Sequence, residues 1–215
     1  MRFNMRDGSR ISCRIVDGGG LLSVHVDRDY DIPGLDWSKV QTIVDVGAHV
    51  GSFTIWAALR SPMAKLLAIE PNPETYPILL RNLLDNGLQD RATAVNSAVG
   101  GGSGVAELEL TEHSLGTRLA RSRTGSPTVT VQKLEQLLAD AGMDAVDVLK
   151  MDCEGMEYEV FETIRPDQLR LIKSIACEYH PEPGHDVSQL DRILGSAGFT
   201  VQRPDASLGI IWATR

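Results

Sequence analysis

"VDVGAHVGSFT", Val44 to Thr54, carries an apolar run through a glycine-punctuated turn into a segment of helical spacing. The run that feeds it, "TIVDV" at 42–46, is short, β-branched and almost wholly apolar, as suits a strand buried on both faces of a parallel sheet. "GSFTIWAALR", from Gly51, then reads as a helix. The same unit recurs along the chain. "KLLAIE" at 65–70, "TAVNSAV" at 93–99, "VDVLKMD" at 146–152 and "IKSIACEYH" at 172–180 read as further strands. Between and after them, "PETYPILLRNLLDNG" from Pro73, "VQKLEQLLADAG" from Val131, "GMEYEVFETI" from Gly155 and "DVSQLDRILGSAG" from Asp186 have helical spacing. This alternation predicts an α/β, doubly wound, mainly parallel sheet with helices on both faces. The tail departs from it. "FTVQR" and, after a turn at "PDAS", "LGIIWATR" read as two strands with no helix between, a closing antiparallel hairpin.

Two regions stand outside the alternation. Residues 1–36 alternate polar and apolar around "RDGS" and "DGGG", which predicts a small N-terminal β cap; "GGGSG" at Gly100 to Gly104 reads as another turn. "EHSLGTRLARSRTGSPT", Glu112 to Thr128, is polar, Arg-rich and aperiodic and reads as a mobile surface loop. With 215 residues, 42% of them apolar and 23% charged, one domain spanning 1–215 is expected.

The formal charge of -8 disfavours sequence-independent binding to nucleic acid or to an anionic membrane surface and points to a small-molecule partner. The amino end lacks the apolar stretch of a signal peptide, and no segment approaches the ~20 apolar residues of a membrane span, so a cytoplasmic location is expected. Cys13, Cys153 and Cys177 are odd in number and far apart, which suits reduced thiols rather than a disulfide framework or a zinc cluster. A homodimer through the N-terminal cap is compatible with the sequence, though no feature requires it.

The first turn places Asp45, Gly47, Gly51 and Ser52 between strand exit and helix entrance, where small residues let a ligand approach the backbone and the helix amino end favours an anionic group. The D-x-G-x-x-x-G spacing differs from the G-x-G-x-x-G dinucleotide fingerprint, which speaks against a nicotinamide oxidoreductase. Glu70, at the tip of the second strand, is placed to accept both ribose hydroxyls of an adenosine, with Asn72 and Ser97 flanking the adenine.

"VDVGAHVGSFT", "AIEPNPETYPILLRNLLDNG", "VLKMDCEGMEYEVF" and "IACEYH", in this order, resemble the FkbM family of S-adenosylmethionine-dependent methyltransferases, from about Val44 to His180. The resemblance implies the seven-stranded methyltransferase sheet with an antiparallel last strand. It also implies roles for Asp45, Gly47, Gly51 and Glu70 in holding the methyl donor. His49 stands where the family usually has Asn; both tolerate positive φ, and His49 is also a candidate to touch a ligand.

Ligands in doubly wound sheets lie beyond the carboxyl ends of the strands, so Asp152 and Glu178, at the tips of the fourth and fifth, should face one cleft with His180 beside them. Two carboxylates and an imidazole suit a hard cation, Mg2+ or Mn2+, an arrangement that resembles the metal-dependent small-molecule O-methyltransferases. His180 or Glu154 is the candidate general base for a hydroxyl acceptor. In a metal-free alternative, Asp152 holds the amino group of the donor. On the helix after Asp152, Met156, Val160 and Ile164 should face the core and Glu159 and Glu162 solvent, with Glu157 ambiguous. The expected activity is O-methylation of a small polar, sugar-like metabolite assisted by a divalent cation. The rivals are a metal-independent N- or carboxyl-methyltransferase, an oxidoreductase and a non-catalytic adenosine-ligand sensor.

Overall fold

The computed structural model describes residues 1–109, 118–120, 127–204 and 209–215. The chain opens with the hairpin β1 (Arg2–Asn4) and β2 (Arg10–Ser12). Helix α1 (Gly19–Leu22) follows and runs on as a π turn over Ser23–Asp27. Then come β3 (Thr42–Val46), α2 (Ser52–Arg60), β4 (Lys65–Ile69), α3 (Tyr76–Asp85) and β5 (Ala92–Val95). Four strands and a helix follow: β6 (Ala98–Val99), β7 (Gly104–Glu109), β8 (Arg118–Ala120), β9 (Thr128–Gln132) and α4 (Leu134–Asp140). The chain closes through β10 (Val146–Met151), α5 (Glu157–Thr163), α6 (Pro166–Leu169), β11 (Ile172–Glu178), α7 (Val187–Ser196), β12 (Thr200–Gln202) and β13 (Ile210–Thr214).

The main sheet has the order β12-β13-β11-β10-β3-β4-β5. Its five central and edge strands from β11 to β5 are parallel, and β13 pairs antiparallel with both β11 and β12, as the terminal hairpin requires. Side chains alternate between two cores. Ile43, Leu66, Val148 and Ala176 join the N-terminal segment, α2 and α3; Val44, Leu67, Leu149 and Cys177 join α4, α5 and α7. This two-sided burial explains why the strands read as unbroken apolar runs. Strand order reverses between β3 and β10, and a crevice opens at such a switch point beyond the carboxyl ends.

Four features depart from the reading of the sequence. The run at 93–99 is not one strand: Ala92–Val95 extends the main sheet, while Ala98–Val99 joins a second, four-stranded sheet of order β6-β9-β7-β8. Val131 and Gln132 belong to β9 rather than to the helix after them, because the alternating "TVTVQ" buries Val129 and Val131 with Ala98 and Leu108. "DGGG" is not a hairpin turn: Leu21 and Val24 sink into the core, and that burial holds Gly19–Asp27 helical despite the glycines. The cap is therefore a hairpin followed by a helix. Within Glu112 to Thr128, the expected loop, 112–117 and 121–126 lie outside the described residues, but Arg118–Ala120 forms a strand against β7. Residues 205–207 of the "PDAS" turn also lie outside them.

Candidate active site

The tips of β3 and β10 touch. A Cβ on Gly47 would stand 1.8 Å from the carbonyl oxygen of Asp152, and Gly47 has φ +72°, so only glycine allows the two strand ends to meet. Around this contact lie two clefts. The first is lined by Gly47, His49, Glu70, Ser97, Asp152 and Glu154, with apolar walls at Ile69, Val99, Leu108 and Met156. Glu70 ends β4 there, buried, and accepts the His49 amide (2.7 Å) on one oxygen and the Asn72 amide (2.9 Å) on the other. Burial raises its pKa above the ordinary carboxylate value, against the opposing pull of His49 and those amides. A buried strand-tip carboxylate beside a glycine wall and an apolar slot is a group that could hold a nucleoside ribose.

The second cleft shares Gly47, His49, Asp152 and Glu154 with the first and adds Tyr30, Ser52, Lys150 and Glu178, with Gly19, Gly20 and Ser23 also lining it. The Ser52 hydroxyl is buried there with no hydrogen-bond partner among the described residues. Lys150, in register with Asp45 across the β10–β3 pair, is 3% exposed. Its ammonium donates to the carbonyls of Val46 (3.1 Å) and Gly47 (2.7 Å) and lies 3.4 Å from Asp45 and 3.3 Å from Asp152. Burial alone would lower its pKa, but the charges of Asp152, Asp45 and Glu178 outweigh that and raise it above the ordinary lysine value.

Beyond β10, Glu154 holds a left-handed conformation (φ +55°), uncommon for a non-glycine residue. The expected set of Asp152, Glu178 and His180 is not the one brought together: Asp152, Glu154 and His180 each offer a ligand atom, all within 4.8 Å of one another, while Glu178 is turned onto the Tyr30 hydroxyl. These two oxygens and one nitrogen fit a hard divalent cation. The His180 ring stands 3.1 Å from Glu157 through Nδ1, and 3.3 Å from Glu154 and 3.9 Å from Glu178 through Nε2. Burial pulls its pKa down, but the hydrogen bond and charge of Glu157, with Glu154 and Asp152, raise it to about 9. Glu154 is pushed up to about 7 by burial, with Asp152, Glu178 and Glu157 adding to the effect and His180 opposing it. Glu178 is also raised, by burial and Asp152, against a hydrogen bond from Tyr30.

Of the residues expected from the sequence, Gly47, His49, Glu70, Ser97, Asp152 and Glu154 meet at the first cleft, and Ser52 and Glu178 at the second. His49 has the positive φ (52°) that its position demands, and its Nε2 stands 3.5 Å from buried Asp17. Gly51 caps α2 with φ +86°. Asp45 lies beneath the glycine turn, held by the Thr54 hydroxyl (2.5 Å) and near Lys150. Asn72 accepts the Glu74 amide (2.9 Å), an Asx turn that shapes the loop after Glu70. The Ser97 hydroxyl donates to the Thr130 carbonyl (2.8 Å). Burial raises the pKa of Cys153, which keeps its thiol protonated.

The sequence reading missed three residues. Glu157, ambiguous on its helix, is fully buried and accepts the amides of Cys153 and Gly155, both at 2.9 Å, so it fixes the turn that carries Glu154. Lys150 had a signal, a lone cation in a buried strand. Tyr30 had none, because it meets Asp152 and Glu178 only through the fold.

The sequence model of the Methyltransferase FkbM domain matches residues 45–201. The 31-O-demethyl-FK506 methyltransferase FkbM of Streptomyces tacrolimicus is 25% identical over 210 residues, 83% of this chain and 80% of that protein. The hexuronic acid methyltransferase AglP of Haloferax volcanii is 25% identical over 162 residues, 74% of this chain and 63% of that protein. Among solved structures, a precorrin-6y C5,15-methyltransferase from Geobacter metallireducens superposes with a TM-score of 0.51 at 16% identity, covering 88% of each chain. That likeness bears on the fold alone.

Proposed function

The chain belongs to the FkbM family of S-adenosylmethionine-dependent methyltransferases, and from that membership we propose that it methylates a hydroxyl of a small, polar, sugar-like acceptor, assisted by a divalent cation. The observation that carries this reading is the shared wall: two clefts meet at Gly47, His49, Asp152 and Glu154, one suited to a nucleoside and the other lined by oxygen-rich side chains. A donor and an acceptor seated on either side of one wall have their reacting ends close together.

In the donor cleft, Glu70 accepts the ribose hydroxyls and Ile69, Val99, Leu108 and Met156 enclose the base. S-adenosylmethionine, when bound, supplies an electrophilic methyl group on a sulfonium. Asp152, Glu154 and His180 would hold Mg2+ or Mn2+, which would supply a Lewis acid able to lower the pKa of an acceptor hydroxyl. The activities for which two of the relatives are named support the acceptor class. One relative is named for a 31-O-demethyl substrate and another for a hexuronic acid, a sugar acid. The charge of -8 supports a small acceptor rather than nucleic acid.

A second reading rests on Glu154. With a pKa near 7, it is matched to removing the acceptor proton at neutral pH without a cation. Donor-loss assays on a panel of sugars and glycosides separate the two. Under the first reading, EDTA abolishes turnover and Mg2+ restores it. Under the second, turnover survives EDTA and disappears in Glu154→Gln.

A further inference from the structure

The tyrosine that joins the two strand-tip carboxylates lies outside residues 45–201, the span that matches the family, and the shared motifs assign it nothing. Two tryptophans fix its place. Trp212, on β13, donates its indole N–H to the carbonyl of Asp29 (2.8 Å), and Trp37 donates its own to Oδ1 of Asp31 (2.9 Å). Tyr30, held between them, is 4% exposed, with its ring edge-on to Phe53 at 5.6 Å and the Lys150 ammonium 5.2 Å from the ring centroid. Its hydroxyl donates to Oε2 of Glu178 (2.6 Å) and lies 3.1 Å from Oδ2 of Asp152.

That contact decides what Glu178 does. Its other oxygen, Oε1, stands 3.9 Å from the His180 Nε2 that borders the Asp152–Glu154–His180 cluster. Glu178 is not itself in that cluster, and a carboxylate freed from Tyr30 can rotate toward it and add a fourth protein ligand. A cation site that keeps few protein ligands retains open positions for substrate oxygen, whereas an added ligand closes one. Resting on the reading of this cleft as a cation-assisted acceptor site, we propose that Tyr30 is a positioning residue that restrains Glu178 from the cation cluster and so keeps a coordination position open for the acceptor hydroxyl.

The test is Mn2+ binding to the purified full chain, followed by electron paramagnetic resonance, in wild type, Tyr30→Phe, Glu178→Gln and the double variant. Tyr30→Phe keeps the ring and its packing, and a thermal melt in each variant checks that the fold is retained. The proposal expects Tyr30→Phe to bind Mn2+ roughly tenfold more tightly than wild type, and the double variant to return to the wild-type value. Weak binding by wild type with clear binding by Tyr30→Phe also supports it. Equal affinities in wild type and Tyr30→Phe would overturn the role of Tyr30 while leaving the cation site intact. Tighter binding that persists in the double variant overturns it too, since Glu178 is then not the added ligand. Absence of binding in every form rejects the cation site itself, and with it the proposal.

Discussion

On the donor side of Gly47 the acid is already partnered by backbone: each oxygen of Glu70 accepts an amide, from His49 and from Asn72, and both amides belong to turns next to β3 and β4. On the acceptor side, Asp152, Glu154, Glu178, Lys150, Tyr30 and His180 hold one another through side chains drawn from the N-terminal segment, β10 and β11. Backbone partners cannot leave, so the position of Glu70 does not depend on any other side chain. Side-chain partners carry charge, so the second cleft depends on protonation and on every member being present. The difference yields four expectations, from the largest effect to the smallest.

Lys150→Met tests the dependence on every member. Methionine fills similar space but leaves Asp45 and Asp152 without their buried counter-charge. Breaking a buried ion pair from one side costs about 3–5 kcal/mol, so the urea midpoint should drop steeply. A variant as stable as wild type would show that the acceptor side tolerates an unpaired acid and that the contrast with Glu70 is mistaken.

Protonation comes next. His180 rises from 6.5 to about 9 on folding, so the stability it contributes is complete below pH 6.5 and is lost as pH climbs through 9. At about 1.4 kcal/mol per unit, the shift corresponds to roughly 3 kcal/mol. Glu154 acts in the same direction earlier: its raised pKa makes ionisation unfavourable in the folded state, so stability is lost as pH rises from 4.5 through about 7. Chelator-treated protein should therefore lose stability between about pH 5 and 9. In His180→Gln the loss near pH 9 should disappear; an unchanged slope there would assign it to other groups.

Glu70→Gln probes the donor side. Glutamine keeps one acceptor oxygen but presents an NH2 group to one of the two amides, and it would weaken the proposed bond to a ribose hydroxyl. S-adenosylmethionine affinity by calorimetry should fall roughly ten- to hundredfold, the worth of a hydrogen bond to a charged group. Mn2+ affinity, read in parallel, should stay within about twofold, since Glu70 is not among the clustered ligands. Joint loss of both would mean the two clefts are coupled rather than merely adjacent.

The same division governs what could be read from sequence. Gly47, Glu70, Asp152 and Glu178 were legible because each sits at the end of an apolar run, and the ends of parallel strands converge by topology alone. Tyr30 and Glu157 were not. Tyr30 reaches its partners through a segment whose glycines favour turns, and the burial of Leu21 and Val24 overrides that preference. Glu157 shares its helix with exposed Glu159 and Glu162, and its full burial is compensated only in the fold, by the two amides of the Cys153–Gly155 turn and the His180 ring. The second sheet was hidden because its strands pair with one another through "TVTVQ", an alternation that was absorbed into the start of the following helix.

Ser97 gives the smallest effect and the finest test. Strand position made it a candidate to flank the adenine, and it does line the donor cleft. Its hydroxyl proton, however, is engaged by the Thr130 carbonyl at 2.8 Å, across to β9 of the second sheet. Ser97→Ala should therefore cost about 1 kcal/mol of stability, the net worth of one neutral hydrogen bond. If the hydroxyl serves the sheet, S-adenosylmethionine affinity stays within about twofold, because the wall keeps its shape and Glu70 keeps its amides. A tenfold loss at unchanged stability would instead mean that the lone pairs of Ser97 face the ligand, and that the donor cleft, like the acceptor cleft, relies on a side chain to recognise what it holds.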